Sequence, residues 1–327
     1  MAARDAETGR QVRPGLALEW IGRHARLILL AGLALVPFLP SSGGALAPVL
    51  PWLVVLLIGL AVARIDLGAA IQDFGRPAAI LPIIAALILF QPVLSVAVQG
   101  AGWLLGLTAP ILLVLLVFTS APPLSSAPNL ALMLRYDGRL ALSLTLIGTV
   151  LSPLLVPASF WLVSAGGIDP VRIAGRVAMM LAGGLVLGLA LRGTVGPGRI
   201  AARAKAFDGL AALIMLAFLM PLLDGVRDHV TQNPRLALQL AALALLLNIG
   251  GNLAMRMLLR KRLRRETADS AGLVFGNRNI SVILAALPPD PSVSLYVAVA
   301  QVPIYATPFI LSLIDRPARP CRPSSEF

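Results

Sequence analysis

The sequence predicts an all-α membrane protein of ten transmembrane helices, arranged as two inverted repeats of five with the fourth and ninth helices broken. Three observations predict it. The 327 residues are 58% hydrophobic and 13% charged with a mean hydropathy of +0.87, whereas a soluble domain carries about a quarter charged residues. Ten apolar runs approach the length of about 20 residues that a bilayer core requires. Two of these runs are interrupted, near 126 and near 277, about 150 residues apart.

The runs fall near 24–40, 47–63, 77–98, 102–134, 140–165, 171–191, 206–223, 235–257, 268–287 and 291–314. The fourth is too long for one straight helix. It contains Pro122, Pro123 and Pro128 among Ser125, Ser126 and Asn129. Proline removes a backbone donor and clashes with the preceding turn, so a break is expected there. The ninth is interrupted by Gly276, Asn277 and Asn279. Residues 1–23 read as a cytoplasmic N-terminal tail, 24–315 as one transmembrane domain and 316–327 as a cytoplasmic C-terminal tail. Ala45-Leu46-Ala47 resembles a signal-peptide cleavage site, but Pro48 directly after it disfavours cleavage. The final Ser-Ser-Glu-Phe has the look of an appended end.

A net charge of +12 would suit a nucleic-acid partner, but its distribution excludes one. The basic residues cluster at the ends of apolar runs, where head groups and insertion topology explain them. Before or in the first span and in alternate loops up to the C-terminal tail stand 22 of the 27 Lys and Arg residues; the other loops hold four, Arg172, Arg176, Arg227 and Arg235. This bias predicts both termini in the cytoplasm; the expected location is a bacterial inner membrane, with the chain passing through it many times. The remaining basic residue is Arg278, inside the ninth run. A charge at the bilayer centre costs at least about 2.5 kcal/mol, so it needs a partner or a task.

An odd number of spans per half requires the second half to be inverted in the membrane. Inverted repeats whose halves each contain an interrupted helix are the pattern of secondary transporters. Interrupted helices leave backbone groups that a cavity, a substrate or polar side chains must satisfy. The chain shows no phosphate-binding loop, no His-Glu metal motif and no Ser–His or paired-carboxylate arrangement, so an enzyme is not expected. Cys321, the single cysteine, lies in the polar tail, which disfavours an arsenite exporter with a membrane thiol. Neither His24 nor His229 lies at a span centre, and Asp208, Asp224 and Asp269 sit near span ends, where interfacial solvation is the expected role. Proton coupling therefore has little support.

At the two breaks the chain resembles the bile acid:sodium symporter family. The resemblance is carried by Ser125-Ser126-Ala127-Pro128-Asn129, Arg135-Tyr136-Asp137-Gly138, Ala141-Leu142-Ser143 and Ser152-Pro153-Leu154-Leu155-Val156-Pro157. In the second half it is carried by Asn248-Ile249-Gly250, Gly276-Asn277-Arg278-Asn279-Ile280-Ser281 and Ala285-Ala286-Leu287. The resemblance implies a panel domain from spans one, two, six and seven and a core domain from spans three to five and eight to ten. It implies that the broken fourth and ninth helices cross, with a small organic anion bound beside the crossing. Departures from the family pattern stand at the ion sites. Val274 replaces a glutamate and Arg278 a glutamine; a third-span glutamine would fall near Leu87, with Gln91 one turn away. Asn129 and Asn279 are kept, and Ser143, Thr145 and Thr149 are the hydroxyls available in the fifth span.

The expected crossover therefore comprises Arg278, Asn129, Asn279, Asn277, Gly276, Ser126, Pro128 and Ser281, with Thr145, Thr149, Asn248 and Gln91 as hydroxyl and amide ligands. No residue set is assigned to a metal, and no cofactor is expected; sodium is disfavoured because Arg278 brings a fixed positive charge. Three roles for Arg278 stay open: replacing the sodium ion electrostatically against the carbonyl ends of the half-helices and amides such as Asn129 or Asn279, binding the anion directly, or only stabilising the crossing. A substrate-sensing or structural membrane module that does not transport is the alternative to a transporter. Sulfonates, short carboxylates and steroid-like acids all fit as the anion, and the sequence carries no signal of oligomeric state.

Overall fold

A computed structural model describes residues 14–64, 77–163 and 169–315. Cys321 and the Ser-Ser-Glu-Phe end lie outside the described residues, as do Arg76 and the basic residues of both termini beyond 14 and 315. Among the described residues the chain is helical, with no β-strand.

Helix α1 (Pro14–Arg23) turns by 77° into α2 (Ala25–Leu35). They are followed by α3 (Leu50–Arg64), α4 (Pro77–Leu104), α5 (Ala109–Ser120) and α6 (Ala127–Met133). Next come α7 (Gly138–Val163), α8 (Pro170–Val195), the short α9 (Pro197–Ala202) and α10 (Ala204–Leu222). The connecting α11 (Val226–Gln232) leads to α12 (Pro234–Leu245), which passes through a π-turn (Leu246–Gly250) into α13 (Gly251–Leu259). The last three are α14 (Arg265–Gly276), α15 (Ile280–Ala286) and α16 (Pro291–Ile314).

Among the described residues seven helical stretches are long and apolar enough to cross a bilayer, and α1 with α2 makes an eighth when the bent pair is taken as one. The fourth and ninth runs are absent from that set for a physical reason. Each is split into a half of 12 residues and a half of 7, too short to span alone.

Two boundaries and one internal turn differ from expectation. The first helix begins at Pro14 rather than near 24, inside the stretch expected to be a tail. Arg23 disguises it in the sequence, but α1 packs closely on α10 because Gly22 and Gly209 let the two backbones touch. A Cβ on Gly22 would meet the Lys205 carbonyl, and one on Gly209 the Leu18 carbonyl. The third span runs on to Leu104, so the fourth starts at Ala109 rather than 102. Gly106, at a φ of 68°, supplies the left-handed residue that turns the chain between them. The eighth span carries the π-turn, which apolar periodicity does not announce.

The apolar interior is lopsided. A large cluster joins the first turns of α3 (Leu50, Val54) and α8 (Ile173, Val177) to α15 (Ile283) and the first half of α16 (Tyr296). A small separate cluster at the opposite end contains Ala127, Ala131, Ala141, Leu273, Val274 and Leu311, with no member from α3, α8 or α10.

Candidate functional site: the meeting of two broken helices

The broken helices meet directly. The Leu124 N–H donates to the Asn277 carbonyl at 2.9 Å, and the Asn279 N–H donates to the Pro122 carbonyl at 2.8 Å. Pro123 and Arg278 are thereby paired antiparallel. Pro122 and Pro123 have no N–H to satisfy, and the breaks use the remaining groups on each other. This answers the main cost of an irregular backbone at membrane depth. Gly148 of α7 sits against Pro123, where a Cβ would run into the proline ring.

Arg278 lies across the join. It is 5% exposed. Its Nε donates to the Phe275 carbonyl at 3.0 Å and its Nη1 to the Ala121 carbonyl at 3.1 Å. The guanidinium also stands 5.1 Å from the centroid of the Phe275 ring. Ala121 is the C-cap of α5, and Phe275 is in the last turn of α14. One cation therefore serves the carbonyl ends of both first half-helices, where the helix dipoles favour positive charge. No carboxylate pairs with Arg278 among the described residues, and it bonds neither Asn129 nor Asn279.

Gln91 completes the same end of α5. Its Nε2 donates to the Ser120 carbonyl at 2.6 Å from a buried position on α4. The other expected residues divide into two sets. Gly276, Asn277, Thr145 and Asn248 are buried. Asn279 and Ser281 are half-buried, as are Pro128 and Thr149. Ser126 and Asn129 are exposed on the first turn of α6, and the Ser126 side chain does not cap that helix. The carbonyl of Thr149 accepts from the Ser152 hydroxyl at 2.7 Å.

Behind the second break lies a polar cluster. Gly276 allows α14 to touch the Asn248 carbonyl at the π-turn and the Asn252 side chain; a Cβ there would collide with both. The amides of Asn248 and Asn277 donate to the carbonyls four residues back, Ala244 and Leu273, at 2.8 and 2.9 Å. The oxygen of Asn277 and both polar atoms of Asn252 have no protein partner, and the Tyr296 hydroxyl lies against the Asn248 amide. Sequence reasoning missed Asn252 and Tyr296. The spacing of Asn248 and Asn252, one helical turn apart, was the available signal.

A second missed constellation ties the ends of five helices. Arg256 is 2% exposed. Its Nε donates to Asp269 at 2.9 Å, and its Nη2 to Asp315 at 2.6 and 2.7 Å. Arg260 adds two bonds to Asp269 at 2.8 and 2.9 Å. The Tyr136 hydroxyl donates to Asp315. Burial pushes the Asp315 carboxyl up, but the hydrogen bonds from Arg256 and Tyr136 more than reverse this and hold it below the usual carboxylate range. The expectation of interfacial solvation for Asp269 is corrected: it is buried and shared by two arginines. Asp208 stays half-exposed and pairs with Arg64 at 2.8 Å. Asp224 clamps the segment after α2, accepting from the hydroxyls of Ser41 and Ser42 at 2.6 Å and from the Ser42 and Gly44 N–H groups at 2.8 Å.

Compared with known proteins, the chain matches no protein-family model and no curated protein sequence.

Proposed function

We propose that this chain is a secondary transporter of a small organic anion that works by alternating access, as a divergent relative of the bile acid:sodium symporters. The observation that carries the reading is the direct pairing of two helix breaks under one guanidinium. Counting α1 with α2 as one span, and each broken helix as one, extends seven spans to ten. The halves of the two broken helices match in length, which supports an inverted repeat. On this reading α2, α3, α8 and α10 form the panel and the remaining long helices the core. The basic bias supports a reading with both termini in the cytoplasm of an inner-membrane protein.

Arg278 takes the place of the coupling sodium ion. Its charge occupies the carbonyl ends that would attract a cation, and Val274 is buried where a carboxylate would complete such a site. Transport is then independent of sodium. The test is counterflow of organic anions in proteoliposomes, sampling sulfonates, short carboxylates and steroid-like acids. Flux above protein-free liposomes, unchanged when sodium is replaced by choline, supports the proposal. An anion that raises thermal stability without any flux would instead identify a non-transporting sensor of the same fold.

A further inference from the structure

Arginine is scarce at the end of the molecule where α7 joins α8, and Arg176 on α8 is one of the four basic residues there. Its side chain crosses between the two helix groups: Nη1 donates to the Ala286 carbonyl at 3.1 Å. Ala286 ends α15, and carbonyls in the last turn of a helix lack an intrahelical partner. A cation there also complements the helix dipole. Around this contact α15 packs on α3 and α8, and the large apolar cluster is continuous from one helix group to the other.

The opposite end is built differently. Helix α6 packs chiefly on α7 and α14, within its own group. The small apolar cluster beside it takes no residue from α3, α8 or α10. Ser125, Ser126 and Asn129 are exposed at the start of α6. Polar side chains next to a helix break are costly against hydrocarbon, so this face borders water.

We infer that the structure is the state sealed at the α15 end and open at the α6 end, and that the Arg176–Ala286 contact is the latch of the seal. Releasing the latch exposes the Ser126 surface to the other side of the membrane. The inference uses the transporter reading for its purpose, but its test does not depend on flux. A protein that moves no anion can still show the accessibility pattern, and a transporter can fail to show it.

The experiment replaces Cys321, the only cysteine, by serine and introduces Ser126→Cys. A membrane-impermeant maleimide is then applied to right-side-out and inverted vesicles. Labelling is expected only from the face that carries Arg135 and Arg139. Adding Arg176→Gln should raise labelling from the opposite face about five-fold, the effect of losing one ordinary hydrogen bond at an exposed site. Arg176→Lys, which keeps the charge, should stay close to the parent. Equal labelling from both faces of the parent, labelling from neither, or an Arg176→Gln pattern identical to the parent overturns the inference. If Arg176→Gln does not fold, the parent and Arg176→Lys still decide the matter: two-sided labelling of either overturns the inference.

Discussion

At the scale of single residues, the buried charges divide by whether they have a carboxylate partner. Arg256 has two, Asp269 and Asp315, and Arg278 has none among the described residues. Removing one member of a buried pair leaves the other desolvated, so Asp269→Asn should cost about 3 kcal/mol of stability, read as a lowered midpoint of thermal unfolding in detergent. A loss within error would mean that Arg260 and Arg265 hold Asp269 at a hydrated surface. Asp224 makes a prediction about pH. Burial alone would raise its carboxyl, but the hydroxyls of Ser41 and Ser42 and the N–H groups of Gly44 and Ser42 lower it to about 2. A depressed carboxylate stabilises the folded form above its unfolded value near 4, and that stability is lost as pH falls through the folded value. The protection of residues 39–46 against hydrogen exchange, taken relative to the free-chain rate at each pH, should therefore fall between about pH 4 and about pH 2. Protection that does not change across that range would show that the clamp is not formed.

At the scale of elements, the two breaks have different local causes and one shared solution. Two prolines and two serines, Pro122, Pro123, Ser125 and Ser126, interrupt the first helix; Gly276 and the flanking asparagines interrupt the second. Each break supplies the hydrogen-bond partner the other lacks. Gly276 is needed for its small size, because α14 there touches the π-turn. Gly276→Ala should cost about 1–3 kcal/mol, the usual penalty for overpacking, and calorimetry would register it as a lower unfolding temperature. An unchanged temperature would mean the π-turn yields without strain. Both interruptions were legible in the sequence, because proline and glycine act on the backbone within one turn. Gln91, expected as an amide ligand, spends its amide N–H on the Ser120 carbonyl at the end of α5, a partner that its place in the third run does not reveal. The Arg256–Asp269–Asp315 constellation was not legible. Its members are separated by up to 59 residues, and the pairing depends on where α16 ends relative to α13. Helix α1 was hidden for a similar reason: its charged end suggested a tail, whereas contact with Gly209 nearly 190 residues away keeps it helical against α10.

At the scale of the whole molecule, two asymmetries point to one arrangement in the bilayer. Basic residues gather at the ends of α3, α6 and α13, while the exposed Trp52, Trp103 and Trp161 stand near the opposite ends of α3, α4 and α7. Tryptophan favours the head-group level, so these three mark one interface and the arginines the other. Among the described residues the large apolar cluster joins α3 and α8 to α15 and α16, and the small cluster at the other end has no member from α3, α8 or α10. Between the interfaces lies Arg278, a fixed cation at the carbonyl ends of both broken helices. Removing it would empty a cation-attracting position without adding a carboxylate. Sodium dependence of anion counterflow, compared between the parent and Arg278→Gln, tests this role most directly. The parent should be indifferent to exchange of sodium for choline, and Arg278→Gln should gain sodium sensitivity while still binding the anion. A parent with steep sodium dependence, or a variant that loses anion binding altogether, would contradict the placement of Arg278 as a built-in substitute for the coupling ion.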